Sequence, residues 1–236
     1  MKASLSIAFE DLRGKAGNVV ISKGRTGLNL KNRIRSKNPR TAAQQGIRGA
    51  FSKAAATWKT LTTTQVQAWN TYALTVTKTN PITGEQYHPT GFNLFTGLTI
   101  KFLQINPTGT IPLTPPTGAF TGDSITITAS AGSGTITFTA SAANASGIKT
   151  EILVQPLANA NRVPQPLKYR TKAFNNFGNL AHTYTANLTP GAWAVAYKFV
   201  NTNTGQETPL QPLLVQQVTL ALEVLEPKTA KQKKAA

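Results

Sequence analysis

Apolar and polar residues alternate through residues 4–34. Leu5, Ile7 and Phe9 share one parity, Val19 and Ile21 follow a turn at Gly14–Gly17, and Leu28 and Leu30 follow Gly24 and Gly27. Period two with glycine punctuation predicts a two- or three-stranded meander. A ribbon this small is marginal on its own in water, so it is expected to need a partner surface. Asn38-Pro39 stops the alternation, and the period then changes to that of a helix. Thr41 with Gln44 has the spacing of a capping box, and Ile47, Ala50, Phe51, Ala54, Ala55 and Trp58 form one stripe on a 100° wheel, with Arg48, Lys53 and Lys59 off it. Thr62 with Gln65 repeats the capping spacing, and Val66, Trp69, Ala73 and Val76 share a face. These two helices, joined by almost nothing, are expected to form a tight αα-hairpin. Thr83-Gly84 marks a turn. A third helix is expected over Phe92–Leu103, apolar enough to be covered on two sides.

The stretch NPTGTIPLTPPTG carries four prolines, and Pro115-Pro116 favours an extended chain. Beyond it the period returns to two. Ile125, Ile127 and Ala129 alternate with polar residues, Gly132–Gly134 turns the chain, and Ile136, Phe138 and Ala140 continue. Further strands are expected at Glu151–Gln155, Thr183–Leu188, Ala192–Val200 and Leu213–Leu222. In the longest, Trp193, Val195, Tyr197 and Phe199 fall on one face. The expected fold class is α+β: an N-terminal β-arm and helical hairpin, then an antiparallel immunoglobulin-like β-sandwich. The expected organisation is an arm (1–40), a helical segment (41–106), a Pro-rich linker (107–118), a sandwich (119–225) and a basic tail (226–236). The run NLTPGAWAVAYKF resembles the turn and strand of fibronectin type III and related immunoglobulin-like domains. It speaks to fold and is silent on ligand.

Charge is distributed unevenly over this pattern. Of 25 basic residues, 13 lie in residues 1–60, where only Glu10 and Asp11 oppose them, a local balance of +11 within a total of +17. Only 14% of the 236 residues are charged, so the surface beyond the first quarter is mostly neutral. That suits a β-module or an assembly subunit better than a lone enzyme. Arg13, Lys15, Lys23, Arg25, Lys31, Arg33, Arg35, Lys37 and Arg40 are the candidate partner-binding residues, for an acidic protein surface or for phosphate. The alternative reading of the same residues is a solvated basic face that favours solubility. No aromatic residue other than Phe9 interleaves the arm's charges, so the stacking platform of a single-strand binder is missing, and any nucleic-acid contact is expected to be with phosphates.

Catalytic chemistry has little to draw on. The chain has no Cys, two His and eight carboxylates. No HExxH or HxxxH spacing is present, and RGKAG and GRTG match no phosphate-cradling motif. Glu10 and Asp11 point to opposite faces of a strand. Ser residues lack a nucleophile-elbow setting. Asp123, Glu151 and Glu207 are read as too few and too scattered to seat an enzyme or a carbohydrate site on the sandwich loops. Trp58 and Trp69 are expected in the core. No catalytic residue, cofactor, metal site, membrane span or signal peptide is expected, and the sequons at Asn144 and Asn187 carry little weight.

The block KNPRTAAQQGIRGAFSKAAATWKTLTTTQVQAWNTYA resembles a segment of uncharacterised phage and prophage proteins. That segment has a basic R/K-N-P-R-T-x-x-Q lead, an R-x-x-F helix, then W-x-x-L-T-x-x-Q-x-x-A-W-N-x-Y-A. A TGFNLF-like helix and a Pro-Pro linker follow in such proteins, as Thr90–Phe95 and Pro115-Pro116 do here. The resemblance implies a virion setting: a non-enzymatic structural protein, capsid-associated as decoration or cement, present in many copies among other virion proteins. A head–tail connector or tail component, or a sequence-independent DNA-binding protein inside the particle, are the alternatives.

Overall fold

The structure, a computed structural model, describes residues 2–3, 14–24, 27–34, 38–80, 83–178 and 180–219. The chain divides into two compact units at the junction of Gln44 and Gln45. The first is a sheet of β1 (Lys2–Ala3), β2 (Gly14–Ala16), β3 (Val19–Gly24) and β4 (Gly27–Asn32), ordered β1-β4-β3-β2, with every pairing antiparallel. Gly17, at φ 58°, makes the turn between β2 and β3. The alternation at Leu5, Ile7 and Phe9 lies outside the described residues.

The second unit opens with two helices, α1 (Ala42–Thr60, its first turn crossing the junction) and α2 (Thr63–Thr75). The capping box before α2 is complete. The Thr62 hydroxyl accepts the Gln65 N–H at 3.3 Å, and the Gln65 side chain accepts the Thr62 N–H at 2.9 Å. At α1 only half forms: the Thr41 hydroxyl accepts the Gln44 N–H at 3.3 Å, while the Gln44 side-chain oxygen is enclosed without a partner. A short hairpin not expected from the sequence, β5 (Lys78–Thr79) with β6 (Gln86–Tyr87), brackets the Thr83-Gly84 turn. The apolar helix α3 (Gly91–Ile105) follows, with the Thr90 hydroxyl accepting the Asn93 N–H.

Phe95, fully buried, is the hub of the helical layer. Its ring meets Trp58 at 5.4 Å and Trp69 edge-on at 5.2 Å, while Ala54, Ala73 and Leu94 close the cluster around it. The stripe expected on α1 is only partly covered. Ala50 and Ala54 are buried, yet Ile47 and Phe51 remain 47% and 48% exposed. A helical wheel tells which side chains share a face; the width of the neighbouring surface decides how many are covered.

The sandwich pairs a three-stranded sheet with a five-stranded one. The first has the order β11-β8-β7, from β7 (Ile127–Ala131), β8 (Thr135–Ala140) and β11 (Thr183–Asn187). The second has the order β10-β9-β12-β13, from β9 (Ile148–Leu157), β10 (Arg170–Asn175), β12 (Gly191–Asn201) and β13 (Gln211–Pro212), with β14 (Gln216–Val218) also on β12. Mixed helices and antiparallel sheets in this order are consistent with an α+β chain carrying an immunoglobulin- or fibronectin III-like sandwich. Ile127, Ile136, Phe138, Ile152, Val195 and Phe199 fill its core, and Trp193 and Tyr197 pack against it from the same face of β12. Of the last strand expected over Leu213–Leu222, Gln216–Val218 forms a strand among the described residues, while 213–215 lie outside any strand and Leu214 is 83% exposed. Residues beyond Thr219, the basic tail included, lie outside the described residues.

Both faces of the five-stranded sheet are occupied, because α3 lies over its outer side. Lys101 reaches Glu151 on β9, the Asn106 amide donates to the Thr202 carbonyl at 2.9 Å, and the turn after β12 meets the helix at Gly205. Gly205 has φ 73°, and a Cβ there would stand 2.2 Å from the Leu98 carbonyl oxygen, so only glycine fits. The Pro-rich segment also packs down, since the Trp69 indole donates to the Leu113 carbonyl at 3.0 Å.

Candidate functional site

Side chains alternate across a strand, and residues opposite each other in the ladder share a face. In the arm the register aligns Lys15 with Val20 and Val20 with Lys31, so the two lysines lie in one row, two strand spacings or about 10 Å apart. The next row aligns Ser22 with Asn29. The opposite parity carries Val19, Ile21, Leu28 and Leu30, with Leu28 buried and the others half-buried. The sheet is therefore two-sided by register: Lys15, Lys31, Ser22 and Asn29 lie with Val20 on one side, and Val19, Ile21, Leu28 and Leu30 lie on the other, which also takes the Lys23 and Asn32 positions. Arg33 extends the ladder by donating its N–H to the Asn18 carbonyl at 2.6 Å.

Lys15, Lys31, Arg33 and Arg40 are all exposed. Lys23 lies within β3, facing Leu28 in the register. Arg13, Arg25, Arg35 and Lys37 lie outside the described residues. Arg40 has φ 48°, a left-handed conformation unusual for a side-chain-bearing residue, at the entry to α1. The charge asymmetry is sharper than a count over the first quarter conveys. From residue 12 to residue 84 the sequence holds 13 basic residues and no carboxylate at all. Those bases have no acid within their own stretch to neutralise them.

The carboxylates expected to be scattered are in part brought together. Lys101 on α3 donates to both Glu151 oxygens, at 3.0 and 2.8 Å, and lies 3.1 Å from Glu207, which in turn meets Lys198 at 3.0 Å. The Thr171 hydroxyl also donates to Glu151, which is only 1% exposed. Burial pushes the Glu207 carboxyl up, but Lys101 and Lys198 outweigh it and hold the group below its ordinary value. Burial likewise opposes the Lys101 ammonium, and Glu207 and Glu151 overcome it, raising Lys101. Two lysines and two glutamates cancel within the cluster. It borders a groove of about 550 Å³ lined by Tyr72, Val76, Leu98, Phe120 and Pro209, but every carboxylate oxygen is already engaged by a lysine. The arrangement is a clasp between α3 and the sandwich, with no free acid–base pair. Sequence reasoning had no signal for it, because Lys101 stands 50 residues from Glu151 and still further from Lys198 and Glu207.

The remaining polar groups are structural. Asp123 accepts the Ala145 N–H at 2.9 Å and the Asn144 amide at 3.2 Å, and Asn144 also bonds Thr150 and the Phe177 N–H. This fastens the loops at one end of the sandwich and consumes the amide of one sequon. His88 bonds the Val76 carbonyl at 3.1 Å, and the Nδ1 of His182 is enclosed without a partner. Among the described residues no three His, Asp or Glu side chains cluster as metal ligands, and no helix is long and apolar enough to cross a membrane. Trp69 is 2% exposed, and Trp58 packs against Phe92 and Phe95, both in the core as the pattern predicts.

No protein-family model matches the chain, and no curated protein sequence matches it. Among solved structures it is similar to the fibronectin type III domain of human fibronectin type III domain containing protein 3. That match covers 48% of this chain and 99% of that one, at 12% identity and a TM-score of 0.29.

Proposed function

We propose that the protein is a non-enzymatic structural protein that anchors itself to an acidic partner surface through its arm and helical segment, with the β-sandwich projecting or bridging neighbours. The observation that carries the reading is the stretch from residue 12 to 84, with 13 bases and no acid, whose strand register puts Lys15 and Lys31 on one face. A high density of charge of one sign repels itself and costs stability, and an acidic partner offsets that cost. The resemblance of the arm and hairpin to phage and prophage proteins supports a virion as the assembly, with capsid decoration or cementing as the role and a connector or tail component as the alternative within it. Mass spectrometry of purified particles tests this, with crosslinks expected from Lys15 and Lys31 to acidic segments of the shell or connector protein. Absence of the chain from the particles would overturn it.

A second reading places DNA phosphates on the same bases. It is favoured by the exposure of Lys15, Lys31, Arg33 and Arg40 and by the lack of interleaved aromatics, which fits contact without sequence readout. Binding of duplex DNA should then fall linearly on a log–log plot against salt, and Lys15→Gln with Lys31→Gln should reduce the slope by about 0.9 per lost phosphate contact. No mobility shift at low salt would remove this reading.

A further inference from the structure

The loop between β9 and β10 is held in place from beneath and turns two aliphatic side chains outward. Its inner side caps the outer face of the five-stranded sheet. Tyr169 is buried against Leu153, Ala194 and Ala196, and the side-chain oxygen of the buried Gln155 accepts the Gln165 N–H at 3.1 Å. The Gln165 carbonyl accepts the Lys168 N–H at 2.9 Å, closing a turn of 3-10 helix at Pro166–Lys168. Pro164 and Pro166 fix two further backbone angles, so the loop has little conformational freedom to lose on binding. Yet Val163 and Leu167 stand 80% and 65% exposed. Arg162, Lys168 and Arg170 flank them in the chain and are exposed as well. No carboxylate offsets these three bases. The sequence holds none from residue 152 to 206, and the carboxylates among the described residues are engaged elsewhere: Glu85 by Thr83, Asp123 by Asn144 and Ala145, Glu151 and Glu207 by Lys101 and Lys198. Arg170 donates only to the Leu167 and Tyr169 carbonyls, both at 3.3 Å.

We propose that this loop is the contact through which the sandwich grips a neighbouring protein. Its occupant is an acidic protein surface that takes Val163 and Leu167 into an apolar pocket and sets Asp or Glu against Arg162, Lys168 and Arg170. The inference rests on the bridging role proposed for the sandwich and gives that role a place and a partner chemistry, using none of the arm's residues. Charge complementarity selects the occupant. A second copy meeting at the same loop would set the three bases against themselves. A phosphate backbone has no pocket for Val163 and Leu167. A bilayer asks for more apolar reach, since a single myristoyl chain anchors only marginally and these two side chains together hold fewer carbons. Apolar tips within a charged rim are the arrangement of a protein interface, with the rim setting the rate of association and its salt dependence.

The chain has no Cys, so one introduced thiol can carry an environment-sensitive dye at a chosen place. In the full chain, Asn161→Cys reports on the loop and Ser22→Cys on the arm. Each labelled chain is titrated with an acidic amphipathic peptide bearing one leucine face, with polyglutamate of equal charge, and with phosphatidylglycerol vesicles. The dye at residue 161 should report the peptide binding at least about tenfold more tightly than polyglutamate. Val163→Gln with Leu167→Gln should erase that difference, and the milder Val163→Ala with Leu167→Ala should act in the same direction. Thermal melts of both should match the parent, since these side chains already lie mostly in water. Arg162→Gln with Lys168→Gln should weaken both acidic probes and flatten their salt dependence. A response confined to the dye at residue 22 overturns the loop contact and leaves the arm's anchoring role standing. Equal affinity for the two acidic probes at residue 161, or unaffected tip variants, overturns the apolar part of the contact. A tighter response to vesicles than to the peptide assigns the loop to a bilayer and overturns the protein occupant. Silence at both dyes overturns the loop contact and the acidic partner of the arm together.

Discussion

Lys101 couples the helical layer to the sandwich, and Lys101→Met tests that coupling. The substitution keeps an unbranched stem of the length that reaches Cε, and it removes two hydrogen bonds, of 3.0 and 2.8 Å, from a Glu151 carboxylate that is 1% exposed. Only the Thr171 hydroxyl would still donate to it. Removing one partner of a buried pair costs about 3–5 kcal/mol, and the 18% exposure of Lys101 places the expected loss near the lower end, about 3 kcal/mol. That is a large share of the roughly 5–15 kcal/mol that stabilises an ordinary domain. Adding Glu151→Leu removes the stranded charge, so the double variant should be more stable than Lys101→Met alone, with a coupling of about 1–3 kcal/mol. Urea denaturation of the full chain, followed by tryptophan fluorescence, measures all three variants against the parent. A loss below about 1 kcal/mol for Lys101→Met, or single effects that simply add in the double variant, would refute the reasoning.

Four further outcomes follow from the same geometry. Glu207 is held below its ordinary value of 4.5, so its contribution is present above that pH and is lost as pH falls through the lowered value; a urea midpoint that stays flat on acidification into that range contradicts it. Lys101 is held above 10.5, so its contribution is complete below that pH and disappears only as pH rises through the raised value, which leaves the clasp intact across the neutral range. Gly205→Ala should cost about 2 kcal/mol or more, combining a left-handed φ with overpacking against the Leu98 carbonyl, and a thermal melt unchanged within error would disprove the fit. Trp69→Phe removes the bond to the Leu113 carbonyl at a cost of about 1 kcal/mol and should speed proteolytic nicking within residues 107–118, measured by limited digestion.

Most of the strands and helices could be read from periodicity, and their partners could not. Trp193, Val195, Tyr197 and Phe199 share a face because a strand alternates, and Ile136, Phe138 and Ala140 line the core for the same reason. Strand β10, RTKAFN, is half-exposed and shows no clean alternation, so nothing in its pattern announced it. Its residues are held by pairing with β9, a long-range contact that local sequence does not encode. The lysine-bearing face of the arm was visible as alternation plus charge, but the row formed by Lys15, Val20 and Lys31 depends on register, which only pairing fixes. The clasp at Lys101 was hidden for the same reason, and Glu151 read as one more acid on a strand.

The two-sided arm also makes the chain unusually intolerant of one kind of genetic change. Because side chains repeat every second residue, inserting or deleting a single codon within β4 would carry Lys31 to the side of Leu28 and Leu30, exchanging the two faces from that point on. A change of two codons would restore parity and merely lengthen or shorten the ribbon. Natural variants of the arm should therefore differ in length by even numbers, a signature that sequencing of variants can read without any knowledge of the partner.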